Sequence, residues 1–201
     1  ISVISLFEDK DGSIWIGTEG DGLYKLMNGK VFRVKFSADE DASYVTSITK
    51  DNNGRMWIGT SGGGVFVIEK ETVFNIRSQN GLSSDLVSSI IFDGQKNVWI
   101  ATDRGLNEIK LINGEANVVK YYHSDGLISD SFLPGSAFAD SKGFLYWGTY
   151  KGLVVLDSKQ TQWAAEKPRL YLRDIWINDE YVDYHSELNS QSVHSNNNFY
   201  S

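Results

Sequence analysis

The sequence predicts an all-β protein assembled from the four-stranded blades of a β-propeller. Three observations carry that prediction. One short motif recurs at near-constant spacing, each recurrence sits in the same succession of strand and turn signals, and no stretch shows the sustained 3.6-residue apolar period of a helix. The motif is an aromatic residue, an aliphatic one, a small one and threonine: Trp15-Ile16-Gly17-Thr18, Trp57-Ile58-Gly59-Thr60, Trp99-Ile100-Ala101-Thr102 and, altered, Tyr146-Trp147-Gly148-Thr149. The small residue falls at 17, 59, 101 and 148, giving spacings of 42, 42 and 47 residues.

The first unit predicts strands at Val3 to Glu8, Ser13 to Thr18, Leu23 to Leu26 and Val31 to Phe36, separated by Asp-Gly and Asn-Gly turns whose glycines supply the positive φ of tight hairpins. The second predicts strands at Tyr44 to Thr49, Met56 to Thr60, Gly64 to Ile68 and Val73 to Ile76. The third predicts Val87 to Asp93, Val98 to Thr102, Gly105 to Ile109 and Val118 to Tyr122. The fourth predicts Ser136 to Asp140, Lys142 to Thr149 and Gly152 to Leu156. Four antiparallel strands in about 40–50 residues make one propeller blade. Residues 1–157 are therefore read as four consecutive four-stranded blades.

Blades stack face to face, so a ring in the second strand fills the wedge between neighbours, and the small residue after it lets the next blade approach. The threonine is expected to close the following turn with a hydroxyl-to-backbone hydrogen bond. A residue present in every blade meets every neighbour alike, so repeated positions build the wheel and unrepeated ones are where function is sought.

The pattern breaks after the fourth unit. Residues 158–167 read as a linker. From Pro168 on, Leu170 to Asn178 reads as a strand closed by Asn178-Asp179-Glu180, with Tyr181 to Tyr184 as the next strand, before a tail rich in Ser and Asn. Residues 168–201 read as the opening of a second β domain, cut before its core is complete; a strand pair capping the last blade is the alternative. The start at Ile1, inside a strand pattern, reads as part of a longer chain.

Composition sets limits. There is no apolar run of 18 residues and no basic-then-apolar amino terminus, so this stretch carries neither a membrane span nor a signal peptide. With no cysteine, disulfides and thiolate chemistry are excluded and burial alone holds the fold. A net charge of −7 argues against a nucleic-acid partner, which leans on a basic surface. His123, His185 and His194 lack metal-ligand spacing, and Asp9-Lys10-Asp11-Gly12 lacks the later glutamate of a calcium loop and recurs as a hairpin turn, so no metal or cofactor is expected. No pair of acidic residues stands out for glycoside hydrolysis, and no catalytic residues are assigned.

The segment Asn80-Gly81-Leu82-Ser83-Ser84-Asp85-Leu86-Val87, with Asp93, Val98 to Thr102 and Arg104-Gly105-Leu106, resembles the two-component regulator propeller repeat. Asp125-Gly126-Leu127-Ile128-Ser129-Asp130 fits the same pattern. Pro168-Arg169-Leu170 through Asn178 resembles the start of the Ig-like β-sandwich, named for three tyrosines, that succeeds such propellers in the chain. Propeller followed by that sandwich is similar to the periplasmic sensor region of hybrid two-component systems in glycan-degrading gut bacteria. Ala101 in place of glycine, the shifted aromatic at Tyr146-Trp147 and the longer fourth unit depart from the pattern.

The resemblance implies a ligand sensor without catalysis of its own, carrying about the last four blades of a seven-bladed wheel, with a membrane span and a histidine kinase elsewhere in the full-length protein. Its partners would be a glycan or other small molecule, the remaining blades and the sandwich of the same protein, or a second copy of the chain. If the first strand of each blade is innermost, as in that family, the loop entering it and the loop after the Trp strand open on one face. The unrepeated residues there are Tyr44, Asp85, Arg104, Tyr150 and Lys151, the candidate ligand-binding set. Arg104 and Lys151 precede the turn glycine where earlier blades have Asp21 and Gly63, and with Tyr150 they suit a carboxylate or sulfate beside a sugar ring.

Overall fold

The computed structural model describes residues 1–37, 42–94, 96–112 and 115–159, and the backbone of 175–177 and 180–182. The chain divides into two compact units, Ile1–Gln162 and Trp163–Ser201. In the first, β1 (Val3–Glu8), β2 (Ile14–Thr18), β3 (Leu23–Met27) and β4 (Lys30–Val34) form an antiparallel sheet in sequence order. The second blade holds β5 (Val45–Lys50), β6 (Met56–Thr60), β7 (Val65–Glu69) and β8 (Thr72–Ile76). The third holds β9 (Val87–Phe92), β10 (Val98–Thr102), β11 (Gly105–Ile112) and β12 (Glu115–Tyr121).

The fourth blade corrects the expectation of four strands within 1–157: it shows three, β13 (Phe132–Ala139), β14 (Phe144–Thr149) and β15 (Gly152–Asp157), and beyond Lys159 the chain leaves the described residues until Ile175. Single 3-10 turns at Ser78–Asn80 and His123–Asp125 lead from blade 2 to blade 3 and from blade 3 to blade 4. In the second unit, β16 (Ile175–Ile177) and β17 (Glu180–Val182) pair as a hairpin, Trp176 opposite Tyr181, where the sequence suggests a strand, a turn and a strand. The Ig-like sandwich expected over 168–201 otherwise lies outside the described residues.

Blade stacking produces three separate cores. Leu23, Val45, Ile48, Ile58 and Phe66 fill the first junction, Trp57, Val65, Val67, Val87, Ile90 and Ile100 the second, and Trp99, Leu106, Phe132, Leu145 and Trp147 the third. Register fixes which side chain faces which neighbour. Trp57 lies opposite Thr49 and Val67 and faces blade 3; Ile58, one residue on, lies opposite Ile48 and Phe66 and faces blade 1. By the same register Tyr146, opposite Phe138 and Val155, holds the Trp position of blade 4. Trp147 holds the Ile position and packs into blade 3, its ring centroid 6.2 Å from that of Trp99. The shifted aromatic is thus one ordinary substitution plus an unusually large residue on the other face.

The small residue has the predicted role. A Cβ on Gly59 would stand 2.7 Å from Val87 Cγ1, and one on Gly17 2.7 Å from Val45 Cγ1 and 2.9 Å from its carbonyl oxygen, distances no real side chain tolerates. Opposite the small residue stands a serine in every blade: Ser5, Ser47, Ser89 and Ser136. In the first two blades it ties the inner strand to the next one, Ser5 Oγ donating to the Val45 carbonyl at 3.2 Å and Ser47 Oγ accepting from the Ile90 amide at 2.9 Å. The five extra residues of the fourth spacing also resolve. Four lengthen the β11–β12 hairpin, two form a bulge in β13 at Pro134-Gly135, and the turn after β10 is shorter by one. Proline lacks the amide a ladder needs, and a bulge is where a strand accommodates it.

The outer faces of the first and last blades are bare. Leu6 is 66% exposed where its register equivalent Ile48 is 8% exposed, and Phe138 is 64% exposed where Ile91 is 6%. Leu153 and Val155 are exposed where Val65 and Val67 are sealed. Trp15 departs from Trp57 and Trp99, which are fully buried, in being half-buried. At the place of Val67, Lys25 lies over the Trp15 ring with its Nζ 5.0 Å from the centroid.

Coverage therefore sets the weight of each position. Trp57→Ala should cost about 3–5 kcal/mol, the range for emptying a large core site. Tyr146→Ala, at the equivalent position on a bare face, should cost no more than about 1 kcal/mol. Urea unfolding of the two variants checks this; equal losses would contradict the open face of blade 4.

Candidate ligand-binding faces

The turn after each Trp strand is built by the motif threonine. Its hydroxyl donates to the turn glycine carbonyl in all four blades: Thr18 to Gly22 at 2.7 Å, Thr60 to Gly64 at 2.8 Å, Thr102 to Gly105 at 3.0 Å and Thr149 to Gly152 at 2.9 Å. In blades 3 and 4 the same oxygen accepts the amides of Arg104 and Lys151, both at 3.1 Å, so the two cations stand at equivalent places on tight turns. The turns reach the next blade's entry loop, as expected. Glu19 bridges to Tyr44, the Gly62 and Gly64 amides donate to the Asp85 carbonyl, both at 3.0 Å, and the Gly105 amide donates to that of Asp130 at 2.6 Å.

The five candidate residues divide on this face. Tyr150 is 81% exposed, Lys151 is exposed, and the Arg104 side chain is open to solvent, its Nε 3.9 Å from Asp103 Oδ2, a separation that leaves the guanidinium available. Tyr44 is engaged through its backbone, its carbonyl accepting the Ser61 amide at 3.0 Å, while its ring stays partly exposed. Asp85 is committed to the fold: Oδ1 accepts the Ser78 amide at 2.6 Å and Oδ2 the Ser78 hydroxyl at 3.2 Å, which pins the 3-10 turn. Asp130 does the same for the His123 amide one blade later. The sequence carries the signal, since Asp85 and Asp130 both stand four residues after a Gly-Leu glycine and so belong to the repeat. A cavity of about 690 Å³ at the blade 1–2 junction of this face is lined by Gly22, Arg33, Phe36 and Ser43, among others, and by none of the five.

The opposite face carries the hairpin turns between the first two strands of each blade. An aspartate six residues before the Trp position organises each turn: Asp9, Asp51, Asp93 and Asp140. Asp51 Oδ1 accepts the amides of Asn53 and Arg55, and Oδ2 accepts Arg55 Nε at 2.6 Å and Trp57 Nε1 at 3.0 Å. Asp140 Oδ2 takes the Tyr146 hydroxyl at 3.2 Å in the place of that indole. Asp9 instead meets Lys50 of the next blade, whose Nζ donates to both oxygens at 2.9 and 2.7 Å. Sequence reasoning misses the role of these turn aspartates, although their spacing to the aromatic residue is constant.

Burial alone would raise the Asp9 carboxyl, but hydrogen bonds from Lys50 and the Lys10 amide outweigh it and hold the group below its ordinary value. Burial acts the same way on Asp140 and is outweighed by the Phe144 and Lys142 amides. Tyr121 is pushed the other way, by burial and by donating its hydroxyl to Glu108 Oε2 at 2.8 Å.

Three stretches, 1–20, 39–62 and 81–104, match the family model of the two component regulator propeller. Among solved structures the chain is similar to the extracellular domain of BT4673 of B. thetaiotaomicron, assigned as a hybrid two component system. The identity is 24% and the TM-score 0.66, over 79% of this chain and 23% of that one. The extracellular domain of BT3049 of the same organism, assigned likewise, is similar at 22% identity and a TM-score of 0.51, over 90% and 32%. Virginiamycin B lyase from Staphylococcus aureus is similar at 13% identity and 0.57, over 77% and 55%. A search of curated proteins finds no match. The chain spans less than a third of the two extracellular domains, and likenesses at these identities are likenesses of fold.

The Asp9–Lys50 pair yields a pH prediction. Because the folded pKa lies below the ordinary value of about 3.9, the stability Asp9 supplies is complete above that value and is lost as pH falls through the folded pKa. The difference in urea unfolding free energy between the protein and Asp9→Asn should be constant from about pH 7 to 5 and shrink below about pH 4. A difference that persists unchanged to about pH 2 would assign the loss to packing.

Proposed function

We propose that the chain is the extracytoplasmic, periplasmic ligand-sensing part of a hybrid two-component signalling protein, and that it recognises an oligosaccharide without converting it. One observation carries the reading: next to stretches that match the two component regulator propeller, the turns of blades 3 and 4 present Arg104, Tyr150 and Lys151, residues absent from the equivalent turns of blades 1 and 2, to solvent on one face. Two cations and an exposed ring suit a saccharide bearing an oxyanion. The likeness to extracellular domains of hybrid two component systems supports the location. Among the described residues no helix is long and apolar enough to cross a membrane.

Signalling requires that the ligand favour one arrangement of the propeller and its neighbouring domain over another, since affinity alone transmits nothing. The bare faces of blades 1 and 4 are read as surfaces for further blades of the full-length protein, with a second copy of the chain as the alternative cover. A freestanding carbohydrate-binding or scaffold propeller is the runner-up function. The likeness to a lyase, at 13% identity, is a likeness of fold.

Calorimetric titration of candidate oligosaccharides against the chain and an Arg104→Ala/Lys151→Ala variant tests the site. A loss of about 1–3 kcal/mol is expected if both cations make charged hydrogen bonds. Unchanged affinity removes both residues from the site, and product release from any glycan overturns the non-enzymatic reading.

A further inference from the structure

We infer that the cavity between blades 2 and 3 on the hairpin-turn face, of about 490 Å³, is a second binding site, for a small ring compound carrying one carboxylate or sulfate. It uses none of the residues of the proposed sensing site and stands or falls separately from it.

The two junctions on this face differ in the residue that meets the turn aspartate. At the blade 1–2 junction Lys50 reaches across and closes on Asp9. The residue in register with Lys50 in blade 3 is Phe92, so no cation crosses to Asp51. Asp51 is satisfied within its own blade by Arg55 Nε and the Trp57 indole, and Phe92 and Leu111 form the apolar lining of the cavity.

Arg55 and Lys96 face this space from the two blades. The Arg55 side chain is only 14% exposed, its Nε is taken by Asp51, and among the described residues its two terminal amino groups donate to no protein acceptor. These amino groups are free to donate into the cavity, and their fork matches a carboxylate or sulfate. Lys96 is exposed and stands three residues after the turn aspartate, where the other blades have Gly12, Gly54 and Gly143. It is therefore an unrepeated cation on a repeated turn. Arg55 balances Asp51 and Lys110 balances Glu108 at 3.1 Å, which leaves Lys96 as the net charge of the cavity. One excess positive charge above an apolar lining selects a monoanion with a ring face over a polyanion or an inorganic ion.

Methyl β-glucuronide and glucose 6-sulfate are the probes, with methyl β-glucoside and inorganic sulfate as controls, each titrated into the chain while the Arg55 Nε–H and Lys96 amide resonances are followed. Saturable shifts at both resonances with at least one charged sugar are expected, and which sugar produces them identifies the oxyanion. Lys96→Ala, an exposed substitution that leaves the fold intact, should weaken that binding about tenfold, while Arg104→Ala/Lys151→Ala should leave it unchanged. The inference is overturned if neither charged sugar shifts these resonances, if the neutral glucoside or inorganic sulfate binds as well, or if Lys96→Ala has no effect.

Discussion

The face-to-face contact between successive blades is the constraint on which everything else depends. A blade of this length cannot seal its own apolar residues, since both faces carry them; each is stable only when a neighbour stands about one side chain away. That separation is fixed at the narrow end by a glycine or alanine opposite a serine, and at the wide end by the Trp position. Ser5 and Ser47 add a polar tie between inner strands, which otherwise meet without a shared ladder. Loop geometry depends on the same contact, because a turn that closes on its own threonine and on the next blade's entry loop holds its place only if the blades do.

Most of the wheel is legible in the sequence because the repeat makes the same statement several times. Strand order, the position of the aromatic residue and the hydroxyl closing each turn follow from spacing and turn chemistry alone. Three features are less accessible. The aspartate before each hairpin turn is part of the repeat, yet its partner changes from Lys50 to Arg55 to Tyr146, and a partner reached across a blade junction leaves no local sequence signal. The exchange at Tyr146-Trp147 looks like a shift in one dimension and becomes a change of face only when register is known. Asp85 reads as unrepeated beside Tyr44 of the preceding entry loop; measured from the Gly-Leu pair, it coincides with Asp130.

The division between repeated and unrepeated positions also orders the two faces of the wheel. On the entry-loop face the turns after β10 and β14 are tight and lift Arg104 and Lys151 into solvent, whereas the turns after β2 and β6 are longer and carry no cation. On the hairpin face a cavity between blades 2 and 3 lies beside a guanidinium that is only partly used.

Amide hydrogen exchange of the chain, resolved by strand, tests the packing constraint most directly, because protection reports how far each blade must open. Blades 2 and 3, covered on both faces, should be the most protected, with protection falling toward β1–β4 on one side and β13–β15 on the other. Equal protection across all four blades would mean that the faces carrying Leu6 and Phe138 are covered, and would contradict the account.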